Sequence, residues 1–269
     1  MIDDFSQFMT SDQVALFRGY LADIDAANTE SANLRDDIQY PSVGALNERW
    51  PSINADMTDL LDRMERNLDN FAAVEALPPF PLFPWFFVVP GLLIAGTALT
   101  IVWSRRRGQA TRRRTWTLAA LGAGVLLAPL AFQMFTRAPK GRDMIDDFRP
   151  MMTAERVRSV QLYFVTLGAA EGELRTQLVP LVADSSADFP AIAYWSDEWP
   201  SIVRDFNPMI ATMADSLDNY AAVDALPPFN LFPWFFVVPG ALVTGLALAA
   251  LKTSDTTNQS TPIQGATSP

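Results

Sequence analysis

The residues in this chain that could do chemistry are its carboxylates. There are 30 Asp and Glu, and neither His nor Cys. Without His, the usual general base and the commonest metal ligand are missing. Without Cys, disulfides, thiolate nucleophiles, Fe–S clusters and thiolate zinc sites are missing too. What remains is paired carboxylates, acting as acid and base or holding a hard divalent cation. The best-placed pair is Asp3/Asp4, because MIDDF at Met1–Phe5 recurs at Met144–Phe148 and brings Asp146/Asp147 with it. Asp23/Asp25 and Asp36/Asp37 are weaker, since the second half has no matching carboxylates. The bland alternative for MIDDF, a helix start or a solvated acidic stretch, is favoured. No phosphate-binding loop, dinucleotide fingerprint, nucleophile elbow or HExxH motif occurs. The chain therefore reads as a non-enzyme that needs no metal and no cofactor.

The elements that would position these residues are dominated by three apolar segments. Mean hydropathy is +0.11, and the charged fraction of 19% lies below that of soluble domains, roughly 25%. Leu82–Trp103, Thr115–Phe135 and Leu231–Leu251 contain no charged residue. Each is long enough to cross a hydrocarbon core of roughly 30 Å as a helix. Their lack of ionisable residues speaks against a proton-coupled transporter, a pump or a voltage sensor. Between the first two lies residues 104–114, with Arg105, Arg106, Arg107, Arg112, Arg113 and Arg114. The positive-inside rule makes that loop cytoplasmic. Arg137, Lys140 and Arg142 point the other way, but are outnumbered. Residues 1–81 and 136–230 are then extracytoplasmic, and residues 252–269 form a disordered cytoplasmic tail. Trp103 and Trp116, and on the opposite side Trp85 and Trp234, sit where interfacial aromatics belong. The net charge of −10 is thus segregated: residues 1–80 carry −10, residues 137–230 carry −6 and the loop +6. Acidic outer domains exclude nucleic acid as a partner. Topology and anionic lipid headgroups account for the arginines.

The chain is one unit used twice. Leu68–Gly91 recurs as Leu217–Gly240, differing at three of 24 positions. RWPSI at Arg49–Ile53 recurs as EWPSI at Glu198–Ile202. Tandem duplication accounts for this. In the second copy MIDDF follows an apolar span and a short linker; in the first it opens the chain. We therefore expect the natural start to lie upstream of Met1, with a span resembling Thr115–Phe135 ahead of it. The alternative is export of the first domain driven by the first span.

The outer domains read as helices. Thr10 is a candidate N-cap, with Gln13 three residues on as in a capping box. Val14, Phe17, Leu21 and Ile24 follow at 3/4 spacing. Thr153 with Val157, Val160, Phe164 and Leu167 repeats the pattern. A second long helix is expected to start near WPSI. Its seam is Met57, Leu61, Met64, Leu68 and Phe71 in one copy and Phe206, Ile210, Met213, Leu217 and Tyr220 in the other. Residues 29–48 and 171–197 are left as a shorter helix or irregular stretch. The expected fold is an all-α integral membrane protein. Its three transmembrane helices carry two homologous extracytoplasmic helical hairpins, packed as a pseudo-twofold four-helix bundle. Homodimerisation would meet the same need, because one hairpin alone has too little core.

The repeated LFPWFFVVPG has a structural explanation. Pro78 and Pro79 end the preceding helix, and Pro84 suits the first turn of the span. Trp85, Phe86 and Phe87 anchor at headgroup depth, and Pro90 with Gly91 kinks the span. Pro227, Pro228, Pro233, Trp234, Phe235, Phe236, Pro239 and Gly240 repeat these roles. The functional alternative is that these residues dock a lipid or a partner at the outer leaflet. Small residues four apart, such as Gly91/Ala95 and Ala120/Gly124, allow close helix approach.

PKGRDMIDDF (Pro139–Phe148) and LFPWFFVVPG in both copies resemble a group of small duplicated membrane proteins of high-GC Gram-positive bacteria that carries no known activity. The resemblance covers nearly the whole chain. It implies a cell-envelope location in the plasma membrane and no catalytic residues. The first expectation is an accessory or scaffold subunit of a cell-envelope assembly. It would dock through its helical domains and spans to lipid, to other membrane subunits or to itself. The alternative is a receptor-like protein whose outer bundle binds a small ligand or lipid; a closed apolar pocket would favour it.

Overall fold

The computed structural model describes residues 2–33, 40–78, 82, 84–182 and 189–259. In chain order the helices are α1 (Ile2–Phe5), α2 (Ser11–Ala32), α3 (Pro41–Arg66), α4 (Leu68–Glu75), α5 (Trp85–Arg106), α6 (Arg112–Ala131), α7 (Met134–Phe148), α8 (Ala154–Glu173), α9 (Val179–Val182), α10 (Pro190–Asp215), α11 (Leu217–Asp224) and α12 (Trp234–Gln259). A π turn, Leu174–Leu178, joins α8 to α9, and a 3-10 turn, Phe229–Leu231, precedes α12. No strand occurs among the described residues. The chain divides into two units: Met1–Ala72 with Gly141–Leu226, and Ala73–Lys140 with Pro227–Pro269.

The first, helical unit is built on four long helices. Thr10 Oγ1 accepts the Gln13 N–H at 3.2 Å and starts α2. Thr153 Oγ1 accepts the Arg156 N–H at 3.2 Å and starts α8. Both are the caps that the sequence points to. The second long helices begin well before WPSI. Pro41 and Pro190 take the first helical turn, where a missing N–H costs nothing. Pro51 and Pro200 consequently lie inside α3 and α10. The apolar spacing explains this extension: Val43, Leu46, Trp50 and Ile53 continue the buried seam upstream of Met57. Much of residues 29–48 is therefore helix rather than an irregular connection.

α2 packs on α3 and α10, and α8 packs on the same two helices. Phe17 of α2 stacks on Phe206 of α10 with ring centroids 4.2 Å apart. Phe17, Ile24, Leu46, Ile53, Leu61, Trp195 and Ile202 are fully buried. Each such side chain contributes about 1.5–3 kcal/mol.

Polar bonds run crosswise over this core. Neither α3 nor α10 has a side-chain cap of its own. Glu173 at the end of α8 supplies it for α3: its Oε2 accepts the N–H groups of Ser42 and Val43 at 2.8 and 3.0 Å. Glu30 near the end of α2 does the same for α10, accepting the Ile192 N–H at 2.8 Å. The Tyr20 hydroxyl donates to Asp205 at 2.8 Å, and the Tyr163 hydroxyl donates to Asp56. Arg156 Nη1 also donates to Asp56, at 2.7 Å. Burial works against ionisation of Asp56, but the bonds from Arg156 and Tyr163 outweigh it and hold the carboxyl low. At Asp205 burial is likewise outweighed, by Arg204 and Tyr20.

In the second unit, α5, α6 and a segment ending within α12 (Phe229–Thr253) are long and apolar enough to cross a membrane. α6 packs closely along α12 and less extensively on α5. The contact depends on two missing side chains. A Cβ on Gly240 would lie 2.5 Å from the Leu126 nitrogen, and one on Gly122 would lie 2.7 Å from Thr244 Oγ1. After α5 the chain turns at Gly108 (φ +68°). Gly108 N–H reaches the Arg105 carbonyl and Gln109 N–H the Ser104 carbonyl, the Schellman pattern for which glycine is suited. The second apolar segment does not run as one helix to Phe135. Pro129 removes a donor from its last turn, Gln133 takes φ 53°, and α6 ends at Ala131. The following linker is helical, so the second MIDDF closes α7 instead of starting a helix. An Arg142–Asp146 pair at 2.9 Å supports that last stretch.

Two outcomes follow from the crossed bonds. Glu30→Gln and Glu173→Gln should each lower the stability of the helical unit by about 1 kcal/mol, close to additively, in urea unfolding followed by tryptophan fluorescence. The depressed carboxyls of Asp56 and Asp205 contribute stability that is present above the unfolded value of about 3.9 and is lost as pH falls through the folded values. A steep loss of stability below about pH 4 is expected, and Asp56→Asn with Asp205→Asn should flatten it.

Candidate functional site

The helical unit encloses an apolar chamber where α3 and α10 end. Leu60 and Met64 lie in the last turns of α3, and Phe71 lies in α4. Met209 and Met213 lie in α10, and Tyr220 in α11, each 149 positions further along. Ile2 and Phe5 of α1 pair in the same way with Ile145 and Phe148 of α7, 143 positions on, as Met9 does with Met152. Phe8 and Met144 complete the wall. Both halves of the chain thus build the chamber from matching positions. Its interior volume is about 70 Å³, well below the roughly 300–1,000 Å³ of drug-sized sites, so it is a narrow apolar slot.

The wall offers carbon and sulfur. Six of the ten methionines of the chain line it, and flexible thioethers adapt to the shape of an apolar guest. Tyr220 brings the one polar side chain. Its hydroxyl donates to the Ile145 carbonyl, and burial pushes its pKa up to about 12. It is therefore a neutral donor that is already engaged.

The acidic candidates Asp146 and Asp147 are tied to arginines. Asp147 accepts from Arg63 Nη1 at 3.0 Å and from Asn67 Nδ2 at 2.6 Å, with Arg66 at 3.4 Å. Asp146 pairs with Arg149 at 2.5 Å and Arg142 at 2.9 Å. Arg149 also holds Asp224 at 2.7 Å, and that bond keeps the Asp224 carboxyl below its usual range. Asp3 and Asp4 lie exposed on α1. Asp25 accepts the Trp50 indole N–H at 2.6 Å, and burial followed by repulsion from Glu198 raises the Asp23 carboxyl. Asp36 and Asp37 lie outside the described residues. Among the described residues no group of three or more His, Cys, Asp or Glu could hold a metal ion.

The aromatic segments sit in the second unit. Pro84 is the N-cap of α5, and Pro90 and Pro239 lie inside α5 and α12. Trp85, Trp234 and Phe235 are more than half exposed. Trp234 meets Phe135 edge to face at 6.1 Å, and Phe86 meets Phe132 at 5.4 Å. Phe87 stacks on the buried Phe236 at 4.6 Å. Pro233 is buried and Pro79 lies outside the described residues. Of the arginines, Arg105 and Arg106 end α5, and Arg112, Arg113 and Arg114 open α6. Arg107 lies over the Trp103 ring, 3.4 Å from its centroid.

Fold and site define a class: an all-helical protein with an apolar chamber in one unit and three potential membrane-crossing helices in the other. No protein-family model matches the chain, and neither a curated protein nor a solved structure matches it.

Sequence reasoning singled out MIDDF for its carboxylates and overlooked its apolar residues, which form part of the wall. The available signal was the methionines at matching positions of the two halves. Tyr220→Phe should cost about 1 kcal/mol in stability by leaving the Ile145 carbonyl without its donor. It should leave the chamber's shape unchanged, so unfolding and ligand capture would separate.

Proposed function

We propose that this is a non-enzymatic integral protein of the plasma membrane whose extracytoplasmic helical bundle holds a hydrocarbon chain of a lipid or similar apolar molecule. The observation that carries the reading is the chamber: carbon and sulfur walls, contributed by matching positions of two halves. In this reading the halves are duplicated hairpins related by a pseudo-twofold axis passing through the chamber. The reciprocal Glu30/Glu173 caps and Tyr20–Asp205 and Tyr163–Asp56 bonds support that symmetry. The arginine-rich turn between α5 and α6 supports placing the bundle outside the cell. Phe71 and Tyr220 each precede the first residue of a span helix by 14 positions, so the chamber lies a short stretch of chain from the bilayer. The lack of His and Cys and the pairing of Asp146 and Asp147 with arginines speak against acid–base or nucleophilic catalysis by the described residues in this reading. Of the two expectations from sequence, this favours the binding protein over the scaffold subunit.

The test is photolabelling of the full chain in vesicles containing a phospholipid with a diazirine in its acyl chain. Label should map to peptides containing Leu60–Met64 and Met144–Met152 as well as to the spans. Met64→Trp with Met213→Trp, which fills the chamber, should remove the bundle label and leave the span label as the internal control. Label confined to the spans in the unaltered protein would defeat the proposal.

A further inference from the structure

We infer that α5 receives a fourth apolar helix with the chemistry of α6, held against a face centred on Gly91. α5 and α12 carry the same row of residues along one face. Pro84, Phe87, Gly91, Ala98 and Val102 of α5 match Pro233, Phe236, Gly240, Ala247 and Leu251 of α12, each 149 positions on. Four of these five positions are identical, and the fifth exchanges Val for Leu. On α12 the whole row is buried. Gly240 lies against α6, so close that a Cβ would stand 2.5 Å from the Leu126 nitrogen and 2.9 Å from the Gly122 carbonyl oxygen. On α5, Pro84, Gly91 and Val102 are exposed, Ala98 is half-buried, Phe87 stacks on Phe236 of α12 at 4.6 Å, and a Cβ on Gly91 would meet nothing within 4 Å.

Lipid alone gives no reason for this row. Acyl chains fit around a leucine as well as around a glycine, whereas glycine in a helix costs about 1 kcal/mol relative to alanine. A glycine is useful there when another helix backbone comes close, as α6 does to Gly240. The partner chemistry is therefore that of α6. It is a helix uncharged beyond its first turn, with a glycine in the position of Gly122 and an approachable backbone one turn on, at Leu126. A second copy of this chain does not offer that surface, because its own α12 already covers it. The inference is independent of the chamber, which lies in the other unit.

The chain has no Cys, so an introduced one reports alone. The full chain carrying Ala95→Cys, one turn beyond Gly91, would be reconstituted in vesicles with a peptide of this chain's own Thr111–Gln133 sequence. The peptide would carry Ala119→Cys or Ala123→Cys. Oxidation should give a chain–peptide disulfide from Ala95→Cys and only background from Leu93→Cys, which lies on the opposite side of the helix. Adding Gly91→Leu should abolish the disulfide, while Gly96→Leu, of equal added volume, should keep it and so controls for insertion. Equal yields from the two cysteine positions would overturn the inference. So would indifference to Gly91→Leu, or disulfides chiefly between two full chains.

Discussion

The helical unit depends on two glutamates that cap helices they do not belong to. α3 and α10 both open on a proline, behind Tyr40 and Phe189, which have no oxygen placed to accept from the first turn. Their first N–H groups adjoin the core: Tyr40 is 7% exposed and Ile192 is fully buried. An unsatisfied buried donor costs about 1–3 kcal/mol. Glu173 and Glu30 remove that cost, but only if α8 ends beside the start of α3 and α2 ends beside the start of α10. That condition sets the bundle's arrangement. It lays α2 along α10 and α8 along α3, bringing Tyr20 to Asp205 and Tyr163 to Asp56. Neither half of the chain satisfies its own donors, so the halves stabilise each other through polar bonds as well as through the apolar seam.

The chamber lies at the opposite end of the same two helices. α3 and α10 each run for 26 residues, about 39 Å at 1.5 Å per residue. Charged caps fix one end, and methionines line the other. Beyond it both helices break, at the buried Asn67 and Ser216, and continue as α4 and α11. The polar surroundings of the chamber differ between the halves more than its wall does. Arg63, Arg66 and Asn67, which hold Asp147, correspond to Thr212, Asp215 and Ser216. The paired wall residues are apolar or aromatic in both halves, and Tyr220, matching Phe71, carries the single hydroxyl among them.

Features that repeat locally were legible in the sequence. The 3/4 seams predicted which faces are buried, and Thr10 and Thr153 announced helix starts because a capping bond spans only three residues. The crossed caps were not legible. Glu173 and Val43 are 130 positions apart, Glu30 and Ile192 are 162 apart, and nothing in a solvated-looking glutamate names so distant a partner. The start expected near WPSI falls inside α3 and α10, because Pro41 and Pro190 already occupy their first turns and the apolar spacing continues upstream of Trp50. The carboxylates Asp146 and Asp147 were marked by their repetition. Their function in the fold was hidden in arginines scattered from Arg63 to Arg149. The chamber was hidden for a related reason: its methionines are spread over four segments, and each alone looks like ordinary core.

The apolar helices invert this logic. α5 and α12 begin with the same residues, yet Gly240 of α12 is covered by α6 while the matching Gly91 of α5 is exposed. A helix without a polar face carries no amphipathic record of where its neighbour lies. The residue that distinguishes one side of α12 from another is the one lacking a side chain, because only at Gly240 can the α6 backbone come so near. In the helical unit, position is specified by charged side chains that reach across the core. In the apolar unit it is specified by atoms that are not there. Substitutions that a hydropathy profile treats as silent, glycine to leucine above all, are therefore the ones to which such a helix pair is most sensitive.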